Sequence, residues 1–113
     1  MKPLLFKVPL FAGRVRVFFS LEDFHKADPS TVSRDFRGYD AFFWERKIGF
    51  CIVFIKYSES TLAHEAVHCA WSILDNAGVV VTSDNDEPLA YLVDRIFDKV
   101  QKHYKKESAN DNT

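Results

Sequence analysis

The chain contains a short motif, His64-Glu65-Ala66-Val67-His68, in which two histidines lie four residues apart and a glutamate follows the first of them. On an α-helix, residues i and i+4 lie one turn apart on the same face, so both imidazoles can reach one metal ion. Glu65 lies about 100° further round the helix, close enough to exchange a proton with water activated by that metal. The motif therefore predicts a metal-dependent hydrolytic site, with His64 and His68 as ligands and Glu65 as the general base.

The residues around the motif predict a helix with one polar side. At about 100° per residue, the polar side chains from Thr61 to Asp75 share one arc, and apolar side chains cover the remaining faces. The arc contains no lysine or arginine, which indicates the wall of a site rather than an ordinary solvated surface. Asp75 lies on this arc, where it could ligate the metal itself or orient a metal ligand without touching the metal. Its ordinary role would be that of a polar residue near a helix end.

A catalytic zinc site usually has three protein ligands and one open position, so a third ligand is needed. Glu87 is the candidate, because the same angular count places it on the polar side of a second predicted helix, nineteen residues after His68. The alternative is an acidic residue that is simply favoured at a helix N-terminus. Tyr91, one turn later, is a candidate for stabilising an oxyanion, although a tyrosine on a helix face more often packs against its neighbours.

The motif and a later segment, Asp84-Asn85-Asp86-Glu87-Pro88-Leu89-Ala90-Tyr91, together resemble the gluzincin pattern of zinc metallopeptidases. In that family, two histidines and a glutamate hold the zinc, and the glutamate of the motif acts as the base. The same segments look like those of small phage and prophage proteins with zincin-like signatures. The resemblance covers about residues 58–96 and implies zinc as the cofactor, with Asp94 orienting a ligand histidine.

The rest of the chain predicts the elements that must position these residues. Alternating and aromatic runs indicate two hairpins, and capping residues and apolar periodicity indicate three helices. The predicted strands are residues 4–11, 14–20, 40–45 and 50–57, and the predicted helices are residues 21–27, 60–75 and 86–104, with a loop at 28–39. The last strand is apolar on both faces, so we expect it to be central or well covered.

These elements predict an α+β fold, in which a small antiparallel sheet of two hairpins packs against the motif helix and a C-terminal helix in a minimal zincin-like arrangement. The chain has 113 residues, is 47% hydrophobic and contains eleven phenylalanines, so it can bury one core of its own. We expect a single domain over residues 1–106 and a frayed polar tail over residues 107–113.

Composition narrows the classes of function and location. A formal net charge of −1 gives no overall attraction to nucleic acids or anionic membranes, and the longest apolar run, residues 50–55, is far too short to span a bilayer. Cys51 and Cys69 are isolated and indicate buried thiols in a reducing compartment. We therefore expect a cytoplasmic protein, located in the host cytoplasm if a phage encodes it, with no nucleic-acid or membrane partner.

Two functions from different classes fit these observations. The first is a zinc-dependent, metallopeptidase-like hydrolase that acts on a peptide or protein, with Glu65 as the base. The second is a non-catalytic phage protein that is stabilised by a metal and binds a host or phage protein. The glutamate beside the ligands favours the first function, because a purely structural metal site has no use for a base. The small size of the chain favours the second.

Overall fold

The computed structural model of the chain describes residues 1–11, 13–46 and 48–111. Within these residues the chain forms four strands and three α-helices, which confirms the α+β class. In chain order they are β1 (Leu4–Val8), β2 (Gly13–Phe18), α1 (Leu21–Ala27), β3 (Ala41–Arg46), β4 (Gly49–Phe54), α2 (Glu59–Asn76) and α3 (Glu87–Asp111), with a 3-10 turn at Pro29–Thr31.

The four strands form one sheet in the order β1-β2-β4-β3. Both predicted hairpins are present, because β1 pairs antiparallel with β2 and β3 pairs antiparallel with β4. The prediction of an antiparallel sheet is wrong, however, since β2 and β4 are parallel and the sheet is mixed. β4 is buried on both faces and takes the central position beside β2, which leaves β3 at an edge. Because β2 and β4 are each the second strand of a hairpin, they run in the same direction and pair in parallel.

The sheet separates two apolar clusters, and the alternation of side chains along each strand assigns residues to one or the other. Valines of β2 and Ile52 and Phe54 of β4 pack against the two long helices. The opposite face carries Cys51, Val53 and Phe42, which pack against Phe24 of α1. The result is three layers: α2 and α3, then the sheet, then α1 with the loop that follows it.

The motif helix α2 has clear signals at both ends. The hydroxyl of Ser58 accepts a hydrogen bond from the backbone N–H of Thr61, and the hydroxyl of Thr61 accepts one from the backbone N–H of Ser58. At the other end, Gly78 has a φ of +77°, a conformation that glycine adopts without a steric penalty. These two signals confirm the predicted position of the helix.

Helix α3 is longer than predicted. It continues through Asp111, so part of the predicted polar tail is helical, while Asn112 and Thr113 lie outside the described residues. Its apolar side, including Leu92, Ile96 and Val100, packs against α2. In the described part of the chain, no helix combines the length and the apolar character that crossing a bilayer requires.

Both cysteine thiols are expected to be unreactive in the folded protein. Cys51 and Cys69 are fully buried, and burial raises the pKa of Cys51 to about 12 and that of Cys69 higher still. At pH 8 only about one Cys51 thiol in ten thousand would be ionised, and the thiolate is the reactive form. Titration with a chromogenic disulfide reagent should therefore detect two thiols quickly in denaturant and almost none in buffer. Rapid labelling of the native protein would contradict this burial.

Candidate metal centre

The two motif histidines face each other across one turn of α2. Their Nε2 atoms are 3.2 Å apart, and their rings meet edge to face with centroids 4.9 Å apart. Both side chains are exposed, so water and small solutes can reach them. The helical spacing predicted this placement, because residues four apart share one face.

The separation of the two Nε2 atoms matches the geometry that zinc requires. With Zn–N distances of about 2.0–2.1 Å and a tetrahedral angle, two nitrogen ligands of one ion lie about 3.3 Å apart. The observed 3.2 Å is close to this value, and it is also the length of a hydrogen bond between the two rings. The Nε2 atoms of His64 and His68 are therefore close enough to share one divalent ion.

Glu65 is the third member of this group and is buried, whereas the two histidines are exposed. Its side chain is only 6% exposed, and one ligand atom from each of His64, Glu65 and His68 lies within 4.8 Å of the others. The backbone N–H of Phe43 donates a hydrogen bond to its carboxylate. Burial raises the pKa of Glu65 above its ordinary value, while the two imidazoles and the Phe43 N–H act in the opposite direction. The carboxylate is thus held in place and is a stronger base than an exposed glutamate.

The open edge of the sheet forms the other wall of the site. A cavity of about 280 Å³ lies between the His–Glu–His group and the beginning of β3. On the sheet side it is lined by Tyr39, Ala41, Phe42 and Phe43. Sequence reasoning missed Tyr39, because no local pattern indicates that the start of β3 lies beside α2. The signal that could have found it is the two-sided apolar character of β4, which forces β3 to an edge.

A pair of hydrogen bonds fastens β3 to α2 one to two turns beyond His68. The carboxylate of Glu45 accepts a 2.6 Å hydrogen bond from the Ser72 hydroxyl and a 2.8 Å hydrogen bond from the Asn76 amide. These contacts show that the polar arc of α2 faces β3. Ligation by Glu87 would need the polar arcs of α2 and α3 to face each other, whereas apolar side chains fill the space between those two helices.

Glu45→Ala is expected to lower the free energy of unfolding by about 1–2 kcal/mol, since it removes two hydrogen bonds to a charged acceptor at an exposed position. Urea denaturation followed by circular dichroism would measure the loss. Ser72→Ala is the matched control for one of the two bonds, and the double variant should lose less than the sum of the single losses. Additive losses would show that Glu45 and Ser72 do not stabilise each other.

The other predicted site residues lie outside the group. Glu87, Asp94 and Asp75 are exposed, and Tyr91 is 45% exposed. Among the described residues, none of the three carboxylates belongs to a cluster of three or more ligand side chains within 4.8 Å. Tyr91 lies on α3 rather than on the wall formed by β3.

The packing of the two helices gives the position of Glu87. Gln101 of α3 donates a 2.6 Å hydrogen bond to Glu59 at the beginning of α2, so the helices run antiparallel with these residues level. At about 1.5 Å per residue, Glu87 then lies level with Ile73, about 7 Å along the axis beyond His68. The structure brings together the two predicted imidazole ligands and the predicted base, and Glu87 is not part of that group.

Comparisons with known proteins give no family for this chain, since no family model matches it and neither the curated proteins nor the solved structures contain a significant match.

Proposed function

We propose that this protein is a metal-dependent hydrolase of peptide bonds, with zinc as its metal. The observation that carries the proposal is the joint placement of His64, Glu65 and His68. Two imidazole nitrogens 3.2 Å apart suit one ion, and a buried carboxylate lies within 4.8 Å of both. Imidazole and carboxylate donors are typical of zinc sites, whereas oxygen-rich sites favour magnesium or calcium.

His64 and His68 would hold the metal through their Nε2 atoms. A bound divalent metal polarises a carbonyl and makes water more acidic. The exposure of both imidazoles leaves the rest of the coordination sphere open to solvent and substrate, which a hydrolytic site needs and a closed structural site does not.

Glu65 would move the proton. Its carboxylate oxygen would accept a proton from the attacking water and then deliver it to the leaving nitrogen of the substrate. The hydrogen bond from the Phe43 N–H fixes the carboxylate beside the imidazoles, so little reorganisation precedes the transfer. In the metal-free protein, burial makes Glu65 a stronger base than an exposed glutamate.

Glu87 on α3 is the predicted third protein ligand. Ligation by Glu87 stays a prediction from the sequence, and it would require the first turn of α3 to move towards His68. Glu87→Ala tests it, because loss of a true ligand should weaken zinc binding by more than about 100-fold. An unchanged affinity would restrict the protein ligands to the group on α2.

One observation favours a second candidate function. Glu65 is close enough to the imidazoles to ligate the metal itself, and a site made of His64, Glu65 and His68 would stabilise the fold without a free base. The protein would then be a metal-stabilised binding protein. Glu65→Gln separates the two functions, because it weakens zinc binding only if Glu65 is a ligand.

The decisive experiment incubates the zinc-loaded protein with a peptide mixture prepared from a cell extract and maps new peptide termini by mass spectrometry. We expect new termini that disappear with a chelator and return when zinc is added back. The metal-free protein and the zinc-loaded Glu65→Gln variant serve as controls for contaminating peptidases. If zinc binds with one-to-one stoichiometry but no metal-dependent termini form, the hydrolase proposal is wrong and the metal-stabilised binding protein remains.

A further inference from the structure

A second cavity of about 450 Å³ lies on the other face of β3. Its aromatic wall is already packed: the rings of Phe36 and Phe42 stack at 4.3 Å with an interplanar angle of 1°, and the ring of Trp44 meets Phe36 edge on at 5.7 Å. Phe42 and Trp44 belong to the apolar cluster under α1, which holds this wall rigid. A ligand would meet a preformed surface and would not have to order it.

The charges at this cavity are unbalanced. Arg34 and Asp35 both line it. Asp35 is already neutralised, because Arg37 binds it through Nε at 3.0 Å and Nη2 at 2.8 Å. The guanidinium of Arg34 lies 5.6 Å from the centre of the Trp44 ring, and among the described residues it forms no ion pair with a carboxylate. The ring positions Arg34, while its N–H donors remain available for an anion.

The aromatic cavity adjoins the metal centre across the edge strand β3. The two cavities share three lining residues, Tyr39, Phe42 and Phe43, at the open edge of the sheet. Successive side chains of an extended polypeptide point in opposite directions. A segment lying across this shared wall would therefore place one residue at His64 and His68 and direct a neighbouring side chain into the aromatic cavity.

We propose that the cavity lined by Arg34, Phe36 and Trp44 is a specificity pocket for an acidic side chain of a polypeptide substrate. The carboxylate of a glutamate or aspartate would bind the guanidinium of Arg34, and its methylene groups would lie against the aromatic rings. Charge complementarity selects the acid over other side chains, because Asp35 is paired and Arg34 is not. This inference rests on the proposed function, since it names the substrate of the same site.

Binding can be tested without hydrolysis. The full chain, with no metal added, is titrated with four pools of acetylated and amidated decapeptides that differ only in a fixed central glutamate, glutamine, phenylalanine or lysine. The Trp71→Phe variant leaves Trp44 as the single tryptophan, and its indole N–H resonance reports binding together with the Arg34 side-chain resonance. We expect the glutamate pool to shift both resonances and to bind about three- to tenfold more tightly than the isosteric glutamine pool.

Arg34→Gln should abolish the preference for glutamate over glutamine, and Arg34→Lys should restore part of it. Arg95→Gln, an exposed arginine on α3, is the matched control and should change nothing. Equal binding of the glutamate and glutamine pools, tighter binding of the phenylalanine pool, or an unchanged preference in Arg34→Gln would each overturn the proposal. A glutamate preference in a protein that never cleaves peptides would instead contradict the hydrolase function and leave the pocket for an acidic side chain in place.

Discussion

Replacing Glu65 with glutamine is expected to lower zinc-dependent peptide hydrolysis by about 10²–10⁴-fold while zinc binding stays nearly unchanged. The amide keeps the shape of the side chain and can still accept the hydrogen bond from the Phe43 N–H. It cannot take a proton from water, however, so the variant loses the base and retains the imidazole pair. Rates would be measured with a fluorogenic form of a peptide cleaved by the wild type, and zinc affinity by competition with a chromophoric chelator.

Glu59→Gln is the matched control, because Glu59 lies on the same helix but is exposed and binds Gln101 of α3. It should hydrolyse the peptide at the wild-type rate. If Glu65→Gln retained full activity, Glu65 could not be the base. If it lost zinc affinity together with activity, Glu65 would be a ligand and the metal-stabilised binding protein would be the better description.

Replacing His68 with alanine is expected to weaken zinc binding by more than about 100-fold, because loss of a direct ligand should exceed the 10–100-fold typical of outer partners. A ligand at 100 times its dissociation constant stabilises a folded protein by about 2.7 kcal/mol, which corresponds to an increase in Tm of roughly 10 °C for a domain of this size. The wild type should show this increase on addition of zinc, and His68→Ala should not. Differential scanning calorimetry with and without zinc measures both.

Asp75→Asn is the control on the same helix, since Asp75 is exposed and lies outside the His–Glu–His group. It should keep the full stabilisation by zinc. Both His68 and Asp75 are exposed, so neither substitution removes core packing, and the metal-free variants should unfold close to the wild-type temperature. Equal stabilisation of His68→Ala and the wild type would show that zinc binds elsewhere on the chain.

The metal centre depends on how α2 is turned relative to the sheet. Hydrogen bonds from Ser72 and Asn76 to Glu45, and from the Phe43 N–H to Glu65, connect its polar arc to β3 at three places. If the helix rotated by one residue, about 100°, the buried carboxylate would leave the edge of the sheet. Glu45 thus contributes to the site at a distance, by holding the helix face on which the histidines lie.

The sequence determined the local features of this protein. The spacing of His64 and His68 placed two imidazoles on one helical face, and Ser58 and Gly78 bounded that helix, because both effects operate within a few residues. The alternating and aromatic runs indicated both hairpins, and the apolar character of both faces of the last strand indicated the central position that β4 takes. Helix α3 was predicted too short at its C-terminus, where the polar residues from Glu107 onward give no apolar periodicity to follow.

Only the tertiary structure decided what surrounds the motif. Whether α2 turns its polar arc to α3 or to β3 depends on contacts between residues about thirty positions apart, such as Glu45 with Asn76, and helical periodicity contains no information about them. The packing of the chain also brings Tyr39 to the wall of the site and leaves Glu87 outside the His–Glu–His group. A helix pattern states which residues share a face, and the packing of the whole chain selects the neighbour that this face meets.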